Sequence, residues 1–357
     1  MSEIMYRDRR AVRLETAELR VTATMEGCHI AEILHKATGV NPLWTPPWPS
    51  IEPSQYDRAA HSAYGDEAES MILAGMMGHS ICLDTYGGPS PEELAAGMPI
   101  HGEGAVVVYQ ARGDAGDSVS LSGTLPLAQI RFERGIRLAA NGTVVCFRES
   151  VENLAASDRP IAWTQHAILG PPFLERGRTQ FRAPVVRSKV IDTDFGGAQK
   201  TSAEFTWPLC PRANGGVIDL RVFPDEAVSS GFTTHLLNAE REHAHFISWS
   251  PSTKVVFGYV WKREDFPWLC RWEENHLRKQ PPWNGCTIAC GMEFGVSPTV
   301  ESRRQMVTRG ELWDVPAYRW LPAKSRLETA YCAFITTAES IPESVRWDGR
   351  ESVELVF

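Results

Sequence analysis

Short runs of β-branched and aromatic residues recur along the chain, each bounded by glycine, proline or asparagine: LRVTATM, AVVVYQAR, VSLSGTL, IRLAANGTVVCFRESVENL, IAWTQHAIL, HFISWSP and KVVFGYVWK. Such runs favour extended strands, because branched and aromatic side chains fit a pleated surface and the turn residues stop each run after a few positions. Ala140-Asn141-Gly142, between two of these runs, predicts a tight hairpin. One segment alone, SPEELAAG, carries helical signals: Ser90 is placed to cap a turn bearing Glu92 and Glu93, and Gly97 to end it. The pattern predicts an antiparallel all-β chain with few short helices. Without a repeat of fixed period, a propeller or solenoid is disfavoured. A chain of 357 residues that is 43% apolar can bury one large core, so a single domain over residues 1–357 is expected, with about the first ten residues peripheral.

Charge narrows the partner. A formal net charge of -8, with no cluster of Lys or Arg, disfavours nucleic acid and anionic membrane surfaces, which bind concentrated positive charge. No segment approaches the ~20 apolar residues of a membrane span, and the charged start MSEIMYRDRRAVRLETAEL does not read as a signal peptide, so a cytoplasmic protein is expected. In that setting the Asn141-Gly-Thr sequon carries no weight. Most of the eight cysteines lie in apolar runs such as VVCFRE and YCAFI, which predicts buried free thiols rather than disulfides. Cys286 and Cys290 lack the second pair that a zinc clip needs. The expected partner is a small molecule, with no cofactor, and the sequence leaves the oligomeric state open.

The stretch CTIACGMEFGVSP, Cys286 to Pro298, places one carboxylate in an apolar run. As a strand it puts Cys286, Ile288, Cys290, Met292 and Phe294 on one face and Thr287, Ala289, Gly291, Glu293 and Gly295 on the other. The second face is a row of small residues around an acid, which predicts an open volume beside Glu293. The alternative is an ion pair with Arg303 or Arg304.

Three further stretches put polar residues among small ones. His101 follows a proline turn in AGMPIHGEG, His166 shares a strand face with Ala162 and Thr164 in IAWTQHAIL, and GHSICLDTYGG carries His79, Asp84 and Tyr86. A lone histidine is more often structural than catalytic, but a buried base with one or two imidazoles is the minimal set for moving protons near neutrality. The Pro/Trp-rich loops NPLWTPPWPSIEP and RKQPPWNG are long and ordered in composition, as binding loops over a β scaffold are. No phosphate-cradling GxxxxGK loop and no G-x-S-x-G nucleophile elbow is present.

VENLAASDRPIAWTQHAILG, HGE at 101–103, and FPWLCRWEEN followed by CGMEFGVSP resemble the segments of the galactose mutarotase-like, or aldose 1-epimerase, superfamily that hold its imidazole acid, a second histidine and its carboxylate base. The resemblance implies a β-supersandwich acting on a carbohydrate, with His166 as acid, Glu293 as base, and His101 contacting or polarising the substrate. His79, Asp84 and Tyr86 are the further candidate substrate contacts, with His29 at the family's basic position; Trp44, Trp48, Trp272 and Trp283, in the Pro-rich loops, can give a sugar an apolar face, with hydrophobic packing as their alternative. The chain departs from the pattern in places. His29 stands in MEGCHIAEIL where the family has a basic Gly-Gly-Arg type sequence, Ala167-Ile168 replaces the aromatic pair after the strand histidine, and the sugar-holding aspartate has only Asp194 and Asp219 as candidates. Two other readings fit the same residues: epimerisation or β-elimination on a modified sugar with a divalent metal on His79, His101, His166 and Glu293, and sugar binding without turnover.

Overall fold

The computed structural model describes residues 1–114, 116–140 and 142–357. The turn and sequon expected at Asn141 therefore lie outside the described residues. The strands on either side of it, Ile130–Leu138 and Val144–Asn153, pair antiparallel, with Leu138 opposite Val145.

Two large antiparallel sheets pack face to face. The larger has twelve strands, running from the edge strand Ser2–Tyr6 through Arg9–Glu15, Leu19–Thr24, Ile30–His35, His79–Asp84, Arg159–Leu169, Ile288–Gly295, Trp268–Asn275, Ser229–Leu237 and Val185–Val190 to Glu204–Phe205, with Arg319–Leu321 paired to one end of Arg159–Leu169. The smaller has eight, with Val255–Lys262, Arg326–Thr337 and Val144–Asn153 at its centre. Alternation directs Ile81, Trp163 and Phe294 of the larger sheet against Phe147, Tyr259 and Trp261 of the smaller in one continuous core. Phe294 and Trp261 stack across this interface with ring centroids 4.1 Å apart. The galactose mutarotase-like expectation of an antiparallel β-sandwich with few helices holds.

Sequence reading and structure differ in three local respects. Residues 1–10, expected to be peripheral, supply the edge strand of the larger sheet and the wholly buried Arg9, whose Nε donates to Glu52 at 2.7 Å. AVVVYQ is not a strand: its first residue ends a 3-10 turn at Glu103–Ala105, only Val108 forms an isolated bridge, to Glu26, and strand pairing begins at Gln110. Besides the expected helix, Pro91–Ala95, with its Ser90–Glu93 capping box, there are short helices at Ser70–Gly75 and Arg303–Arg309. They are too short for a helical apolar period to show.

A second apolar layer covers the outer face of the larger sheet. Trp44, Trp48, Ile72, Leu73 and Trp283, from the loops around 42–77 and 276–287, close over Ile168, Phe232, Trp272 and Ala289 of the strands. The cavity described next lies between that layer and the sheet.

Candidate functional site

Register places the central pair. Along Arg159–Leu169 and Ile288–Gly295, His166 stands directly opposite Glu293 and Thr164 opposite Gly295, so all four face the loop layer. On the flanking strands Ser80 opposes His166 and Cys270 opposes Glu293, which keeps this face narrow around the two groups. Gly291 leaves this face open: a Cβ built there would lie 2.3 Å from Glu293 Oε1 and would make the carboxylate shift.

His166 Nε2 lies 3.3 Å from Glu293 Oε1. The approach is close but does not have hydrogen-bond alignment, and Glu293 Oε1 and His166 Nδ1 are both buried without a hydrogen-bond partner. The other carboxylate oxygen, Oε2, accepts a hydrogen bond from the Tyr86 hydroxyl. Burial pushes the Glu293 carboxyl above its usual range, against the pull of His166 and the Tyr86 hydroxyl. Tyr86 is itself wholly buried, and burial raises its hydroxyl well above the ordinary value, so it stays a donor. Neither arginine considered as a partner reaches Glu293: Arg303 binds Asp84 and Glu93, and Arg304 lies 3.7 Å from Glu92.

His101 arrives on a strained turn. It has φ of 64° and is followed by Gly102 at 79°, where a Cβ would meet the Leu83 carbonyl at 2.0 Å, so the glycine is obligatory. The backbone NH of His101 donates to the Gly87 carbonyl at 2.9 Å, and its Nδ1 accepts from the Gly87 NH at 3.2 Å. Burial, with His166 and Arg278 nearby, lowers the imidazole to about 3. A neutral ring whose Nδ1 accepts carries its proton on Nε2. The rings of His101 and His166 lie 5.2 Å apart.

His101, His166 and Glu293 line one cavity of about 200 Å³, together with Trp272, Trp283 and Arg278. Of the other residues singled out from sequence, Tyr86 does not line the cavity but bonds Glu293 through its hydroxyl, with its ring 6.1 Å from that of His101. Trp44 and Trp48 pack behind Trp283, with centroids 5.8 and 5.1 Å from it, and their indole NH groups are spent on Thr287 Oγ1 and the Leu73 carbonyl.

Parity and satisfied bonding place the remaining residues away from the cavity. His79 is on the opposite face, in the core between the sheets, bonded to the Tyr259 hydroxyl at 2.9 Å and Gln165 Oε1 at 3.0 Å. The metal set of His79, His101, His166 and Glu293 therefore cannot form; the residues that do converge are Cys82, His101 and His166, with ligand atoms within 4.8 Å of one another. Asp84 does not line the cavity, being enclosed by Arg159 at 2.6 and 2.7 Å and Arg303 at 3.2 Å. His29 is fully used, bonding the Ala105 carbonyl through Nε2 and accepting from the Met77 NH at Nδ1. Asp194 and Asp219 are also spent elsewhere, on the Gly196 NH and on Arg221.

Arg278 was not anticipated. It lies over the faces of Trp272 and Trp283, 5.5 and 5.0 Å from their centroids, with Glu69 at 3.3 Å and Glu274 at 3.6 Å. Its place as the first residue of RKQPPWNG was the available signal.

No family model and no curated protein matches the sequence. Solved structures do match the fold. A candidate aldose 1-epimerase from Klebsiella pneumoniae aligns with a TM-score of 0.64 at 12% identity, over 93% of this chain and 80% of its own. A galactose mutarotase-like protein from Lactobacillus casei gives 0.57 at 13%, over 91% and 100%, and one from Clostridium acetobutylicum 0.58 at 14%, over 94% and 98%. The chain thus has the galactose mutarotase-like fold. Among the described residues no helix is long and apolar enough to cross a membrane.

Proposed function

We propose that this protein is a carbohydrate-active enzyme that interconverts the anomers of a cyclic sugar by paired acid and base action. The observation that carries the reading is the buried Glu293–His166 pair, each with one unpartnered polar atom, in an aromatic-walled cavity. The anomeric hydroxyl oxygen and the ring oxygen are bonded to the same carbon, so the base and acid that serve them must be near neighbours, as these two are at 3.3 Å.

In this scheme Glu293 takes the proton of the anomeric hydroxyl while protonated His166 gives its proton to the ring oxygen. The carbon–oxygen bond of the ring breaks and a free aldehyde forms. Rotation about the adjoining carbon–carbon bond and reclosure, with the two groups in exchanged roles, gives the other anomer. His101, neutral with Nε2–H as donor, polarises the oxygen it faces. The raised carboxyl of Glu293 brings the base closer in strength to the groups it serves. Trp272 and Trp283 give the cavity apolar wall for the sugar's carbon–hydrogen bonds.

The test is anomer exchange measured by NMR on a panel of monosaccharides, with and without a chelator. Exchange catalysed well above the spontaneous rate, insensitive to the chelator and lost in Glu293→Gln, supports the reading. Chelator-sensitive turnover would move it to metal-assisted chemistry on Cys82, His101 and His166, and binding without exchange on any sugar would leave a sugar-binding protein.

A further inference from the structure

The reactive end of the cavity is polar, but the rest of its wall is not. Ile72, Leu73, Ile100, Phe195, Phe232 and Val300 line it. Beyond Glu293, His166 and His101, the charged or hydrogen-bonding side chains that line it are Glu69, Arg278, Trp272 and Trp283, and the indole NH of Trp283 is buried and without a partner. Arg278 gathers them: it lies 5.5 and 5.0 Å from the Trp272 and Trp283 centroids and 3.3 Å from Glu69. Arg278 is already balanced there by Glu69 and Glu274, two carboxylates against one guanidinium, so no surplus positive charge faces the cavity.

A hexopyranose carries four hydroxyls besides the anomeric one. Those pressed against the aliphatic and phenyl side chains would lose their bonds to water without replacement, at a cost of about tenfold in affinity each. A phosphate or carboxylate would meet carboxylates with no free cation. Resting on the acid–base reading above, we infer that the substrate is an uncharged deoxy sugar, with its missing hydroxyl against the Ile72–Phe232 wall and its remaining polar edge toward Arg278, Glu69 and Trp283.

Isothermal titration and NMR anomer exchange on matched pairs test this: D-galactose with 6-deoxy-D-galactose, D-glucose with its 2-deoxy and 6-deoxy forms, and D-glucose 6-phosphate as the anionic probe. The expected result is at least one deoxy sugar bound about tenfold or more tighter than its parent, with the phosphate weakest. Ile72→Asn, which places a hydrogen-bonding group in the wall, should narrow that preference in protein of unchanged fold by circular dichroism. Parents or phosphate binding as tightly as every deoxy form, or no deoxy form binding, would overturn the inference. A deoxy preference in binding without exchange would overturn the acid–base reading and leave this one standing.

A separate observation lies on the outer face of the smaller sheet. Cys146 and Cys332 are directly opposed on adjacent antiparallel strands, with sulfurs 3.5 Å apart, and both lie against the Arg350 carbonyl, at 3.5 and 3.3 Å. Cys146 opens onto a cavity of about 430 Å³ that Arg137 also lines. The bond donated by the Cys332 thiol, with help from Arg137, lowers the Cys146 thiol, while Cys332 is held protonated. We propose that this pair is a peroxide-sensitive modification site that closes to a cross-strand disulfide. The Cys146 thiolate attacks the peroxide, an S–O bond forms as the O–O bond breaks, and one water leaves. The Cys332 sulfur then displaces the sulfenic oxygen as a second water, so two thiols lose two electrons and peroxide gains them.

Peptide mapping by mass spectrometry after hydrogen peroxide treatment, without reductant, should find the Cys146 and Cys332 peptides joined and two hydrogens lighter. The link should be absent from Cys146→Ser and Cys332→Ser. Retention of both thiols when an added low-molecular-weight dithiol is fully oxidised, or linkage of either cysteine elsewhere, would overturn the assignment.

Discussion

Glu293 and His166 face each other across two adjacent antiparallel strands, and only one of the carboxylate's oxygens, the one bound by Tyr86, has a hydrogen-bond partner. A carboxylate held for stability would have both oxygens satisfied, because each unmatched buried polar atom costs free energy. This one is left open toward the cavity.

Replacing Glu293 by Gln keeps the volume and removes the base. Its raised carboxyl means the folded state binds that proton more tightly than the unfolded chain does, so at neutral pH the ionised side chain subtracts from stability. The expected outcome is an unchanged or higher thermal midpoint, with anomer exchange reduced by roughly 10² or more. Calorimetry and NMR exchange on the same preparation check both arms. A midpoint several degrees lower with exchange retained would make Glu293 a structural residue.

Gly102→Ala addresses the turn that delivers His101. The new methyl would fall 2.0 Å from the Leu83 carbonyl in a left-handed conformation. A loss of about 1–3 kcal/mol is expected, read as a fall in thermal midpoint of several degrees. Sugar affinity should fall with it, because His101 moves with the turn.

Asp84→Asn separates a structural ion pair from a substrate contact. Asp84 is buried between two guanidiniums, and asparagine tolerates its φ of 77°, so the substitution removes charge with little else. A cost of about 3 kcal/mol or more is expected from leaving Arg159 and Arg303 uncompensated. Sugar binding by the folded variant should stay within a fewfold of the parent, as titration would show.

What the sequence made legible follows its physics. Alternation alone put Glu293 on the small-residue face of its strand, and the glycines beside it stand where a Cβ would collide. His79 was misplaced because parity within one strand does not say which face meets the cavity; that depends on the pairing of Cys82 with Thr164, which no local pattern encodes. Asp84 looked available because its partners, Arg159 and Arg303, are distant in sequence. Arg278 acquires its place only when the 276–287 loop folds over Trp272, a tertiary event that composition flagged as a binding loop without naming the residue.

The pH dependence of exchange should report Glu293 and its link to Tyr86. The base works when ionised, so the rate should fall as pH drops through a carboxyl value raised above the ordinary range, and this limb should be absent from the residual activity of Glu293→Gln. The Tyr86 hydroxyl donates to the carboxylate and so favours its charged form. Tyr86→Phe removes that donor with little change in volume, which raises the Glu293 carboxyl further and moves the acid limb to higher pH. The stability sign is linked: with the folded-state value pushed up, the variant holds its stability at low pH and loses it as pH rises through that value. The midpoint difference between parent and Tyr86→Phe should therefore widen from acid to neutral pH, and that pH dependence should vanish in the Glu293→Gln background. If Tyr86 serves packing alone, the limb stays where it is in the parent and the midpoint difference is constant with pH.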